Sequence, residues 1–154
     1  MVDSQTAHKS FSGFVADVEP RLRLALCAAF GSEQGRDSAA EALAYGWEHW
    51  DRVRNMPNPA GYLWGVGKNH ARRASRRRPV FLEVPADVLP WVEPGLPAAL
   101  ACLSERQRIA VTLLHGLEWT LSEVADLLGV SKSTVQTQAE RGMRKLRKSM
   151  GVRR

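Results

Sequence analysis

The sequence predicts an all-α fold: two small helical domains joined by a Pro-rich linker, the C-terminal one carrying a helix-turn-helix. Three observations predict it. Apolar residues recur at helical spacing in several segments, while strand-period alternation is weak throughout. Five of the eight prolines (Pro79, Pro85, Pro90, Pro94 and Pro97) fall within 19 residues, where their fixed φ and missing N–H exclude both helix and central strand. Two capping-box signatures, Ser104 with Gln107 and Thr120 with Glu123, each open an apolar helical run.

The chain has 154 residues, which fits one domain or two small ones and is too short for a barrel or a two-domain dinucleotide enzyme. The prolines place the boundaries: a helical domain over 1–78, a linker over 79–95 and a second domain over 96–154. The linker also carries Phe81, Leu82, Val84, Val88, Leu89, Trp91 and Val92, so it is expected to pack on a surface.

In the N-terminal half, Phe11, Phe14, Val15, Val18, Leu22, Ala25, Leu26 and Ala29 form one helical stripe that stops at Gly31. Pro20 is expected to bend or break it. Ala39, Leu43, Gly46, Trp47 and Trp50 define a second stripe, with both tryptophans expected in the core. Asn58-Pro59 is a cap followed by proline at the first helical position, opening a helix with Leu63, Val66 and Ala71 inside.

In the C-terminal half, the Ser104 box opens a helix running toward Gly116. The Thr120 box opens a short helix with Leu121, Val124, Ala125 and Leu128 on one face. Gly129 ends that helix, and Val130 is expected to supply the apolar contact that follows a glycine stop. Ser131 caps the next helix, whose inner stripe is Val135, Ala139, Gly142, Met143 and Leu146. Two helices joined by a short glycine-containing turn make a helix-turn-helix, whose second helix reads the major groove. Its outward residues are Lys132, Ser133, Gln136, Thr137, Glu140, Arg141 and Arg144, with Thr134 beside them. Lys and Arg reach phosphate or guanine, Gln pairs with adenine, and Ser and Thr adapt to either. Glu140 suits phosphate badly and is expected to pair with Arg144 one turn on.

The net charge of +6 is unevenly placed: +4 over 1–78, −3 over 79–95 and +5 over 96–154. Each basic part closes on an acid-free cluster, Lys68–Arg78 and Arg141–Arg154, which points to a polyanion partner touched at two places. Asp37 and Glu41, one helical turn apart, present two carboxylates on one face and suit a protein partner better than acid–base catalysis.

The stretch from Leu96 to Arg108 and the run Gly116-Leu-Glu-Trp-Thr-Leu-Ser-Glu-Val-Ala-Asp-Leu-Leu-Gly-Val-Ser-Lys-Ser-Thr-Val135 resemble region 4 of bacterial sigma factors. Asp37-Ser-Ala-Ala-Glu-Ala-Leu43 resembles the region 2.2 motif that binds the β′ clamp helices, and Pro59 through Arg73 resembles regions 2.3 and 2.4, which open the −10 promoter element. The chain is therefore similar to the extracytoplasmic-function group of the sigma-70 family. It departs from the family pattern at Ala40 (usually Gln), Tyr62 (usually Trp), and Gln136 and Gln138 (often Lys and Arg).

The resemblance implies a sigma factor that directs promoter-specific initiation. Asp37 and Glu41 would bind core polymerase. Asn55, Asn58, Tyr62, Trp64, Lys68, Asn69, Arg72 and Arg73 would engage the −10 element, where strand separation needs a basic track and groups that take up bases. Lys132, Ser133, Thr134, Gln136, Thr137, Arg141 and Arg144 would read the −35 element. The implied partners are RNA polymerase core (β′ clamp helices and β flap), promoter DNA and an anti-sigma factor.

The competing reading is a helix-turn-helix regulator that binds operator DNA without polymerase, its N-terminal half serving dimerisation or ligand binding. An enzyme is not expected. His8, His49, His70 and His115 are scattered, and neither metal-ligand spacing nor a glycine-rich phosphate loop appears, so no metal and no cofactor are expected. The longest purely apolar run, Leu24–Phe30, is far short of the roughly 20 residues of a spanning helix. Cys27 and Cys102 lie in apolar patterns and are expected to be buried and reduced. With no secretory leader visible, a cytoplasmic location is expected.

Overall fold

The computed structural model describes residues 4–75 and 95–151. Most of the proline-rich stretch lies outside them, as do Arg76–Arg78, Arg153 and Arg154. Among the described residues the chain is α-helical with no strand.

Helix α1 (Ser4–Phe30) is the long element against which the others pack. It continues through Pro20, so the expected break does not occur. The Pro20 ring is exposed, and the neighbouring turns are anchored by buried Val18, Leu22, Ala25 and Leu26. Proline removes one intrahelical bond, while the buried apolar stripe secures the turns on either side. A single residue, Gly31, separates α1 from α2 (Ser32–Glu48), which folds back along it. A four-residue helix, α3 (Trp50–Val53), follows.

Helix α4 (Pro59–Ser75) starts as its sequence directs, with Asn58 Oδ1 accepting from the Gly61 amide at 3.0 Å. Leu63 and Ala71 are fully buried and Val66 packs beside them. Trp50 is buried, but Trp47 departs from expectation: it remains 44% exposed, with its ring centroid 5.2 Å from that of Phe11. Trp47 sits at the last turn of α2.

The second half begins with α5 (Leu96–Ala101) and α6 (Glu105–Val111). The Ser104 capping box forms, with bonds of 3.2 Å in both directions between Ser104 and Gln107. Helix α6 does not run straight to Gly116. From Thr112 the turn widens, and the Leu117 amide bonds back to Thr112 O at 3.0 Å. Glu118 then takes a left-handed φ of 58°, and the Trp119 amide ties the turn to Leu113 O at 2.9 Å.

Helices α7 (Leu121–Leu128) and α8 (Lys132–Ser149) form the helix-turn-helix. The Thr120 box is present, and Gly129 takes φ 67°, which a Cβ would oppose. The Val130 amide closes that turn on Ala125 O, but the Val130 side chain is 42% exposed rather than sealed in an apolar contact. Ser131 caps α8 by accepting from the Thr134 amide at 3.1 Å. Val135, Ala139, Gly142 and Leu146 are buried as their spacing requires. At Gly142 the backbones of α6 and α8 approach so closely that a Cβ would stand 2.6 Å from Val111 Cγ2.

The two halves share one apolar core. Leu26, Trp64 and Ala71 of the first half belong to the same buried cluster as Ile109, Leu113, Val124 and Val135 of the second. Cys27 is half-buried, and burial pushes its thiol pKa up. Cys102 is exposed, contrary to expectation, at the end of the short helix α5.

Candidate nucleic-acid and polymerase interfaces

Helix α8 presents Lys132, Ser133, Gln136, Thr137, Glu140, Arg141 and Arg144 on its exposed surface, while Thr134 is half-buried. Two of the adaptable hydroxyls are already engaged at its start: Ser133 Oγ lies 3.1 Å from Ser131 Oγ, and Thr134 Oγ1 lies 2.8 Å from it. Gln136 Nε2 donates to Glu140 Oε1 at 3.2 Å, so Glu140 pairs one turn back and not with Arg144. Among the described residues Arg141 and Arg144 have no carboxylate partner. A positive helix N-terminus followed by unpaired guanidinium groups suits a phosphate backbone.

Between the wide turn, α7 and α8 lies an open groove of about 1100 Å³. Leu114, Leu121 and Met143 contribute apolar surface, and Arg144, Arg147 and Lys148 contribute charge.

On the N-terminal half, Asp37 and Glu41 are both exposed on α2. The structure adds an arrangement that the spacing did not reveal. His70 Nδ1 lies 3.1 Å from Ser38 Oγ, and His70 Nε2 lies 4.0 Å from Asp37 Oδ2. These are the residue types of a hydrolytic triad, but the Ser38 hydroxyl is fully buried and out of reach of a substrate. The set ties α4 to α2 and orients Asp37.

The residues expected at a −10 element fall into two groups. Asn55, Tyr62, Asn69 and Arg73 are exposed. Tyr62 is 37% exposed, with its hydroxyl 3.3 Å from that of Tyr45, and this hydrogen bond raises its pKa. The others meet the C-terminal half. Trp64 is only 3% exposed and part of the shared core, which corrects its expected place on a DNA-facing surface. Trp64, Lys68 and Arg72 line a cavity of about 100 Å³ together with Thr134 and Gln138 of α8. Arg72 holds Glu105 through two bonds, at 2.7 and 3.1 Å, which raise its pKa further. Asn58 Nδ2 donates to Asp126 O on α7.

The residue that sequence reasoning missed is Arg108. Arg108 is only 6% exposed, and its guanidinium crosses between the halves. Nε and Nη2 donate to Ala29 O at 2.9 and 2.6 Å, and Nη1 donates to Ala101 O and Leu103 O at 3.3 and 3.2 Å. Burial lowers its pKa, and Glu105 partly offsets this. Its sequence signal is one of position only: an arginine inside an apolar stripe four residues after a cap.

Residues 95–146 match the family model described as sigma-70, region 4. The chain is similar in fold to the sigma factor RpoE from Bartonella quintana, solved in complex with the anti-sigma factor NepR. The TM-score is 0.67 at 21% identity, over 95% of this chain and 99% of that one. It is similar also to CnrH, solved with the cytosolic domain of CnrY, with a TM-score of 0.64 at 21% identity over 98% and 96% of the two chains. A search of curated proteins gave no match. Residues 95–146 thus match sigma-70 region 4 across the helix-turn-helix, and the chain as a whole shares the fold of these two proteins.

Proposed function

We propose that this chain directs promoter-specific transcription initiation, joining RNA polymerase core and contacting two promoter elements. The observation that carries the reading is the region 4 match over a helix-turn-helix whose reading helix is basic and exposed. Helix α8 reads the −35 element, with Lys132, Arg141 and Arg144 on phosphate or guanine and Gln136 and Thr137 on base edges. Asp37 and Glu41 meet the β′ clamp helices. The groove beside Met143 seats the β flap, its apolar floor suited to a partner helix.

Residues 1–78 and 96–154 act as separate promoter-binding units in this reading, with 79–95 as the connection. The −10 element is opened by the surface around Asn55, Tyr62, Asn69 and Arg73. Asn58, Lys68 and Arg72 join it once the C-terminal half moves off them, since Arg72 and Asn58 are otherwise bonded to that half. The chain acts by binding and carries out no covalent step. One structural neighbour was solved with an anti-sigma factor and the other with the cytosolic domain of CnrY, and the first supports an anti-sigma factor as a partner here too. In this reading the chain acts in the cytoplasm, where promoter DNA is; among the described residues no helix is long and apolar enough to cross a membrane.

The test is reconstitution. The purified chain mixed with core polymerase should co-elute with it and direct run-off transcription from a subset of genomic fragments. The double change Asp37→Lys, Glu41→Lys should abolish co-elution while leaving duplex DNA binding intact. A wild-type chain that binds duplex DNA but never core would instead be an operator-binding regulator.

A further inference from the structure

His70 takes no part in the DNA or polymerase surfaces, yet it touches one of them. It comes from α4 and meets α2 at two points, Nδ1 3.1 Å from Ser38 Oγ and Nε2 4.0 Å from Asp37 Oδ2. The His70 side chain is 35% exposed and that of Asp37 66%. Solvent protons therefore reach the ring, and a partner protein reaches the carboxylate.

The groups around Ser38 fix the state of that ring. Gln34 Nε2 donates to Ser38 Oγ at 3.4 Å. A hydroxyl has one proton to give, and with a donor on its other side that proton goes to His70 Nδ1. Nδ1 accepts, so the neutral ring carries its own proton on Nε2, the nitrogen facing Asp37. At 4.0 Å this N–H is too distant for a hydrogen bond. Protonation changes the contact in kind. The ring becomes a cation within ion-pair distance of a carboxylate, and Ser38 Oγ accepts the new Nδ1–H once its own proton rotates away.

Other charges stand further off. On α2 the exposed neighbours of Asp37 are Arg36 and, one turn on, Glu41, and on α4 Arg73 lies one turn beyond His70. From α1, uncharged Leu26 meets α4 at Gly67, and the Cys27 thiol abuts α2 at Gly35. Glu105 of α6 is held by Arg72, and α7 brings Asp126 to Asn58, at the opposite end of α4. Among the described residues Asp37 is the carboxylate that pairs with His70.

We infer that the protonation state of His70 sets how far Asp37 is offered to a partner. A neutral ring leaves the carboxylate free for a cationic protein surface, and a protonated ring binds it internally. The inference rests on the reading of Asp37 as a core-binding residue and adds a proton dependence to that surface. Because the pair is exposed, the effect is graded: one ion pair of this kind changes affinity about threefold. Linkage makes it reciprocal, so a partner that takes Asp37 makes His70 harder to protonate.

Two measurements on the full chain test this. In the free chain, ring 15N signals followed against pH should show the Nε2–H tautomer of neutral His70. The midpoint of its titration should fall in Asp37→Asn, which removes the anion. Affinity for core polymerase is then measured over the same pH range for wild type and for His70→Gln, whose amide cannot take up a proton. Wild type should lose about threefold more affinity than His70→Gln as the ring protonates. In an Asp37→Asn background the two pH profiles should coincide. A His70 with a merely structural role would lower affinity at every pH and leave the profile unchanged. Identical profiles for wild type and His70→Gln overturn the inference, as does a His70 midpoint unmoved by Asp37→Asn. Asp37 is exposed, so its change tests the pair even where a change at His70 disturbs the α2–α4 contact. A midpoint that responds to Asp37 in a chain that never binds core keeps the proton-linked pair and sinks core polymerase as its partner.

Discussion

Arg108 grips Ala29 across the interface of the two halves, two guanidinium nitrogens converging on one carbonyl at 2.9 and 2.6 Å. Ala29 lies in the last turn of α1, where the helix leaves carbonyls unpaired and its dipole is negative. The third nitrogen serves Ala101 O and Leu103 O at the end of α5. One buried cation thus closes the ends of two helices and joins residues 79 positions apart in the chain. The charge is tolerated in the core because its donors meet carbonyl oxygens at the negative ends of helices.

Arg108→Leu should therefore loosen the packed halves. Three carbonyls lose their donor, and a loss of about 2–4 kcal/mol is expected from charged hydrogen bonds of this kind. Urea unfolding would measure it. The radius of gyration should rise in the same variant, with Trp64 becoming more accessible to a fluorescence quencher. A Trp64 environment unchanged in Arg108→Leu would mean that the apolar contacts alone hold the halves together.

Gly142→Ala tests the closest backbone approach in the helix-turn-helix domain. The new Cβ would stand 2.6 Å from Val111 Cγ2 and 3.3 Å from Gln107 O, so α8 must shift away from α6. A destabilisation of about 1–3 kcal/mol is expected for overpacking, despite the better helix propensity of alanine. A variant as stable as wild type would show that Val111 can rotate out of the way.

Arg141→Ala and Lys132→Ala should each flatten the salt dependence of duplex binding. One phosphate contact contributes about 0.9 to the slope of log affinity against log salt. Glu140→Gln should act in the opposite sense and strengthen binding, since it removes a carboxylate from the face proposed to meet DNA. Titrations over a series of salt concentrations decide all three, and a slope unchanged in Arg141→Ala removes that residue from the DNA surface.

The two cysteines should differ in reactivity. Cys102 is exposed, whereas Cys27 is half-buried with its pKa raised by burial, so less thiolate is present at Cys27 near neutral pH. Because the folded pKa lies above the unfolded one, the stability this contributes is complete at neutral pH and is lost as pH rises through the folded value. A maleimide reagent should label Cys102 first in the native protein. Equal rates at both positions would require frequent opening of the α1–α2 contact.

The local chemistry was legible in the sequence. Both capping boxes, the Asn58 and Ser131 caps and the left-handed Gly129 stand where their residue types require, because each is a bond within four residues. The periodic stripes of α4 and α8 also named Leu63, Ala71, Val135, Ala139, Gly142 and Leu146 as buried, while Val66 and Met143 in the same stripes are half-buried. What failed were calls that needed a neighbour. Trp64 looks like a surface aromatic on a basic helix, but the second half covers it. Trp47 fits an apolar stripe, but Phe11 on α1 covers its ring only in part, and it stays 44% exposed. Pro20 should interrupt a helix considered alone, yet the burial of Leu22 and Leu26 carries α1 past it.

Sequence by itself determined the helices, their stops and the exposed basic face of α8, since these follow from propensity, capping and periodicity along one chain. The tertiary structure alone decided that Arg108 reaches Ala29, that Arg72 meets Glu105, and that His70 stands beside Ser38 and Asp37. Those pairings depend on the angles at which helices pack and on which apolar faces find each other, and no local spacing encodes them.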